Sequence, residues 1–219
     1  DAYNVYLTPQ FTKKFMSLSD DQTLRLFSGD IYSPSRESRY FRGTQFGPLL
    51  KALNLHASVV GNHEFDFGVQ QFLNLQNEHH VPWMLSNVSK KRSLFQKGDP
   101  ATSALLDVTK KSMILEKSGF KIGLFGTFDL DAFRGSRLSN TDLNLEDHLK
   151  AAVTISKQLK ASGCDLIIML THMLNPSDRD VLKDNNNEVD LVLGGHNHEF
   201  RVEVHNNRLL LKSGFDFID

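Results

Sequence analysis

The sequence predicts an α/β domain built on a buried sheet. Short apolar runs alternate along the chain with segments of helical spacing. Residues 164–170 are nearly all apolar, as in a strand covered on both faces. Leu145, Leu149, Ala152, Ile155 and Leu159 recur at intervals of three or four, which marks a helix with one buried stripe.

In chain order, Leu24, Leu26 and Phe27 form a strand-like run that stops at Ser28-Gly29-Asp30. A helix is expected over residues 47–55. Residues 57–60 read as a strand ending at Gly61-Asn62-His63, followed by a helix over residues 69–79. Residues 89–111 are polar, with Gly98 and Pro100, and read as a loop whose Lys90-Lys91-Arg92 run is solvated. Met113-Ile114-Leu115 and residues 120–125 form a hairpin turning at Lys117-Ser118-Gly119. Asn144 is the expected N-cap of the next helix, and Ser162-Gly163 its stop. The buried strand then ends at Thr171-His172, and Val189, Leu191, Val192 and Leu193 end at Gly194-Gly195-His196. Residues 201–212 close with a hairpin at Asn206-Asn207, a pair suited to positive φ.

Composition narrows the function. With 219 residues and 40% hydrophobic content the chain buries a substantial core. Its 25 basic and 26 acidic residues leave a net charge of −1, which argues against a general nucleic-acid binder. No run approaches the roughly 18 apolar residues of a membrane span. Nine histidines stand beside one cysteine, Cys164, so a metal would be held by imidazole and carboxylate rather than thiolate.

Ligand-type residues sit just past four strand candidates: Asp30, Asn62 with His63, His172, and His196 with His198. In open α/β sheets such positions converge at one end of the fold. Carboxylate, amide oxygen and neutral imidazole suit zinc, manganese or iron better than calcium. His56, His79, His80, His148 and His205 lack this setting and read as ordinary surface or core residues.

Gly29-Asp30, Gly61-Asn62-His63-Glu64, Thr171-His172 and Gly195-His196-Asn197-His198 together resemble the ordered motifs of calcineurin-like metallophosphoesterases. The longer string Gly61-Asn62-His63-Glu64-Phe65-Asp66-Phe67-Gly68, with Ser86-Asn87-Val88 and Lys212-Ser213-Gly214-Phe215-Asp216-Phe217, resembles the 5′-nucleotidase branch. The resemblance spans essentially the whole chain. It implies a four-layer α/β/β/α sandwich with two divalent metal ions, manganese, zinc, iron or magnesium, at its end. By that resemblance Asp30 bridges both ions. Asn62, His172 and His196 complete one site, while Asp1 and His198 serve the other. His63 would be the catalytic histidine, oriented by Asp66. Two such ions about 3.5–4 Å apart clamp phosphate oxygens and generate hydroxide from water at neutral pH. The implied reaction is hydrolysis of phosphomonoesters such as nucleoside 5′-phosphates. A phosphodiesterase or pyrophosphatase acting on nucleotides, and a scaffold that has lost catalysis, remain alternatives.

Two features depart from the family pattern. Its first motif is usually Asp-x-His, whereas this chain has Asp1-Ala2-Tyr3, so Tyr3 either binds metal or leaves that site weakened. Residues 1–219 read as one catalytic domain, with residues expected to be missing before Asp1 and a substrate-binding domain expected beyond Asp219. The expected partner is a small phosphorylated substrate. An intracellular location is slightly favoured, in the absence of a signal peptide.

Overall fold

The computed structural model describes residues 8–91 and 99–214. Its first half runs α1 (Thr8–Ser17), β1 (Leu26–Phe27), α2 (Ser38–Phe41), α3 (Gly47–Leu53), β2 (Ala57–Val59), α4 (Val69–His79), β3 (Trp83–Met84) and β4 (Val88–Lys90). The second half runs α5 (Pro100–Val108), β5 (Met113–Lys117), β6 (Phe120–Phe128), α6 (Leu130–Gly135), β7 (Leu143–Leu145) and α7 (His148–Ala161). It closes with β8 (Leu166–His172), α8 (Asn175–Lys183), β9 (Leu191–Gly194), β10 (Phe200–His205) and β11 (Arg208–Ser213).

Two sheets face each other. One is three-stranded and parallel, in the order β1-β2-β3. The other is six-stranded, in the order β10-β11-β9-β8-β6-β5, with a parallel centre and a hairpin at each edge. Alternation along β3 separates the layers. Trp83 points into a cluster with Leu49 and Leu53 of α3 and Phe72 of α4, whereas Met84 points at Phe125, Met169 and Leu170 of the large sheet. Gly126 shows how close the sheets come: a Cβ there would lie 2.7 Å from Met84 Cβ and 2.9 Å from Val59 Cγ2. On its far side the large sheet is covered by α7, whose Ala152 and Leu159 share that core. The result is the expected α/β/β/α sandwich. Each fully buried side chain, Trp83, Phe72 and Phe125 among them, contributes about 1.5–3 kcal/mol of transfer free energy.

Several elements follow the sequence closely. Helix α4 has the expected bounds. Helix α3 ends two residues early, because Asn54 takes a left-handed conformation at φ 45°. The hairpin turns fall at Ser118-Gly119 and Asn206-Asn207, all with positive φ. Two expectations fail. Asn144 is no cap: residues 143–145 pair with β4, and the Asp147 side chain accepts from Lys150 N to start α7. Residues 89–111 are not one loop, since Asp99 caps α5 with Pro100 at its first position. The segment 92–98, including Arg92, lies outside the described residues, as do Phe215, Asp216 and Phe217. No helix among the described residues is long and apolar enough to cross a membrane.

Candidate metal centre and catalytic site

Asp30 follows β1, Asn62 and His63 follow β2, His172 ends β8, and His196 and His198 follow β9. Parallel strands within each sheet send these C-terminal ends the same way, so the sandwich gathers them at one end.

His172 is the centre of the cluster. It is 1% exposed, and its Nδ1–H donates to the Ser28 carbonyl at 2.7 Å. That bond orients the ring and leaves Nε2 facing Asp30 Oδ2 at 2.9 Å and Asn62 Oδ1 at 3.0 Å. Both partners are acceptors, and the neutral tautomer makes Nε2 a third. Only a cation between them, a proton or a metal ion, reconciles the three. Donor atoms about 3 Å apart are also what bonds of ~2.0–2.2 Å to one ion produce. Burial alone would lower the His172 pKa, but the adjoining Asp30 carboxylate outweighs it and the pKa is raised. Asp30, 1% exposed, is desolvated yet held down at about 2 by His172.

His196 completes the group: its ring centroid lies 4.9 Å from that of His172, and ligand atoms of Asp30, His172 and His196 all fall within 4.8 Å of one another. Its Nε2 lies 3.0 Å from Asp131 Oδ2 on α6, which fixes the proton there and leaves Nδ1 as the donor atom. Burial holds His196 and His198 below the usual imidazole range, in the neutral form that binds metal. Asp30, His196 and His198 all have left-handed backbones, at φ 64°, 77° and 56°. Each such residue costs on the order of 1–3 kcal/mol, and such strain concentrates at functional sites.

Gly195 is required by the same contacts. A Cβ on it would lie 2.5 Å from the Ser28 carbonyl oxygen and 3.2 Å from His172 Nδ1, within the bond that orients His172. Gly195→Ala is therefore expected to weaken metal binding at least tenfold. It should also destabilise the fold by about 1–3 kcal/mol. A metal titration and a thermal melt would check both, and native metal affinity would dismiss the role given to the Ser28 bond.

His63 stands beside the cluster. Its backbone N–H donates to Asp30 Oδ1 at 2.8 Å, and its Nδ1 lies 2.9 Å from Asp66 Oδ2. Ser33 Oγ–H donates to that same Asp66 oxygen at 2.6 Å. Burial opposes the charged ring, but the Asp66 hydrogen bond and the Asp30 charge outweigh it, so the His63 pKa is raised. The side chain is 29% exposed, within reach of a ligand.

Asp30, Asn62, His172 and His196 thus come together, with His63 and Asp66 alongside and His198 on the same loop as His196. Asp1 and Tyr3 lie outside the described residues. Asn87 is a brace: its side chain bonds both backbone groups of Phe128 and the Glu146 carbonyl. Three contributors were missed. Glu64 clamps two ligand loops through backbone N–H groups; it stood in the quoted motif, but its partners are main-chain atoms. Asp131 is 65 residues from its partner His196, with no local pattern to mark it. Lys212 lies buried beneath the residue 195–197 turn and bonds the Gly195 carbonyl and Asn197 Oδ1.

A sandwich that gathers carboxylate, amide and imidazole donors at one end offers a frame that could hold a metal ion. A family model described as "Calcineurin-like phosphoesterase" matches residues 9–200, and the chain belongs to that family. It is 29% identical over 185 residues to a 5′-nucleotidase of Diplobatis ommata, covering 83% of this chain and 30% of that one. It is 25% identical over 175 residues to an NAD 5′-nucleotidase of Haemophilus influenzae, covering 80% and 27%. The solved structure of a Haemophilus influenzae NAD nucleotidase superposes with a TM-score of 0.77 at 20% identity, over 96% of this chain and 39% of that one. A Thermus thermophilus 5′-nucleotidase precursor gives 0.76 at 18%, over 94% and 42%. The chain spans about a third of the length of the curated relatives it matches.

Proposed function

We propose that residues 1–219 form a single catalytic domain that hydrolyses phosphomonoesters, nucleoside 5′-phosphates foremost. The carrying observation is the acceptor triad of Asp30, Asn62 and His172, which needs a cation, set against a His63/Asp66 pair poised to donate protons. Asp30, Asn62, His172 and His196 would hold one divalent ion. Asp1 and His198 would hold a second, with Tyr3 a further possible ligand, and Asp30 would reach both. Such ions supply charge for the phosphoryl oxygens and lower the pKa of water to give the nucleophile.

The chain's own groups do the rest. Asp66 accepts from Nδ1–H of His63 and Ser33 holds Asp66, so the opposite edge of the ring presents Nε2–H outward. That proton stabilises a phosphoryl oxygen or passes to the leaving alkoxide. Glu64 and Asp131 touch no reacting atom; they position Asp30 and His196, two of the residues that would hold the ion.

The direct test is metal removal. Dialysis against a chelator should cut phosphate release from a nucleoside 5′-monophosphate at least about 10³-fold, a loss of the size expected when metal charge is withdrawn. Readdition of manganese or zinc should restore it. Undiminished turnover in metal-free protein would overturn the reading. Relatives bear the names 5′-nucleotidase, NAD 5′-nucleotidase and apyrase. A dinucleotide joined by a pyrophosphate and a nucleoside triphosphate therefore belong beside the monophosphate, and faster cleavage of either would redirect the assignment to hydrolysis of phosphoanhydride bonds.

A further inference from the structure

We propose that Lys212, braced by Asp178, is a positioning residue that sets the turn carrying His196 and His198 against His172. Lys212 lies on β11, one strand beyond β9, and is 3% exposed. Its ammonium donates to the Gly195 carbonyl, the Met173 carbonyl and Asn197 Oδ1, each at 2.8 Å, and lies 2.7 Å from Asp178 Oδ2. Asp178, fully buried on α8, also accepts from Thr171 Oγ1–H at 2.6 Å. These partners are the sequence neighbours of the candidate ligands. Thr171 and Met173 bracket His172, Gly195 and Asn197 bracket His196, and Asn197 precedes His198. One side chain therefore references two ligand segments to each other.

A purely packing role does not account for this arrangement. Buried ion pairs add little net stability, and an apolar pair of similar volume often serves as well. Such a pair, however, would leave the Met173 and Gly195 carbonyls without the Lys212 donor. The left-handed backbones at His196 and His198 also need restraint from outside the turn. The route is specific: a Cβ on Gly194 would lie 2.7 Å from Lys212 Cε, so the lysine stem crosses where that strand has no side chain.

The inference rests on reading His172 and His196 as metal ligands, and the test separates the two. Manganese affinity would be measured calorimetrically on the full chain and on K212M/D178N, which removes both charges so that neither is stranded. N197A, which deletes one arm without touching the buried pair, and H196A complete the set. With melting midpoints confirming folded protein, the double variant should bind manganese about 10–100-fold more weakly. N197A should bind about 3–10-fold more weakly, and it decides the matter should the double variant fail to fold. Native affinity in folded K212M/D178N or in N197A, with H196A weakened, would overturn the positioning role alone. Native affinity in H196A would overturn the ligand assignment and the proposal with it.

Discussion

His63→Ala is expected to slow phosphate release by about 10²–10⁴-fold, the usual loss when a positioned proton donor is removed, while bound metal stays unchanged. The separation follows from which atoms of His63 do what. Its backbone N–H supports Asp30 and survives the substitution, whereas its ring nitrogen Nδ1 is engaged with Asp66, outside the acceptor triad. Asp66→Asn should lose less, roughly tenfold, because the ring remains but its charged form loses the carboxylate that favours it. Turnover measured beside elemental metal analysis checks both variants. Metal lost together with activity in His63→Ala would place the residue among the structural supports, and full activity would remove it from the mechanism.

The candidate ligand positions were readable because they combine two strong patterns, an apolar run that must be a buried strand and a polar residue at or just beyond its end. Asp30, Asn62, His172 and His196 all have that setting, and the parallel strands carry them to one end. Helix α4 was equally plain, with its stripe of Val69, Phe72, Leu73 and Leu75 bounded by Gly68. Helix α5 was hidden because Gly98, Pro100 and polar neighbours outweighed a valid Asp-Pro start. The onset of α7 was misplaced because strand pairing with β4 claimed residues 143–145, a long-range contact that no local spacing encodes. Glu64, Asp131 and Lys212 share a different reason. Each acts on main-chain atoms or on a residue far away in sequence, and a motif records a side chain's identity without recording what it holds.

Glu64 carries the second large expectation. It is 2% exposed, and its carboxylate accepts four backbone N–H groups. Asp30 N at 2.7 Å and Gly61 N at 2.5 Å reach Oε2, while Ile31 N at 2.7 Å and Tyr32 N at 3.3 Å reach Oε1. The loops after β1 and β2 therefore meet on this one group, and the left-handed Asp30 is pinned through its own N–H. Burial and the neighbouring Asp30 charge push the Glu64 pKa up, opposed by the N–H bonds, so the carboxylate serves to fix geometry more than to add charge stability. Glu64→Gln keeps the shape but turns an NH2 group toward two of the N–H donors. At about 1–3 kcal/mol for each buried donor left unsatisfied, the two stranded donors should destabilise the fold by roughly 2–6 kcal/mol. That corresponds to a fall of about 4–24 °C in melting midpoint for a chain of this size. Glu64→Ala strands all four donors and should approach the whole stability of the fold, about 5–15 kcal/mol. Because Asp30 moves with its N–H, metal affinity should fall in Glu64→Gln even at temperatures where the variant is fully folded. Calorimetric melting with a manganese titration at low temperature reads both effects. A midpoint within about a degree of native would mean the N–H groups find another acceptor, and a lowered midpoint with native metal affinity would confine Glu64 to stability.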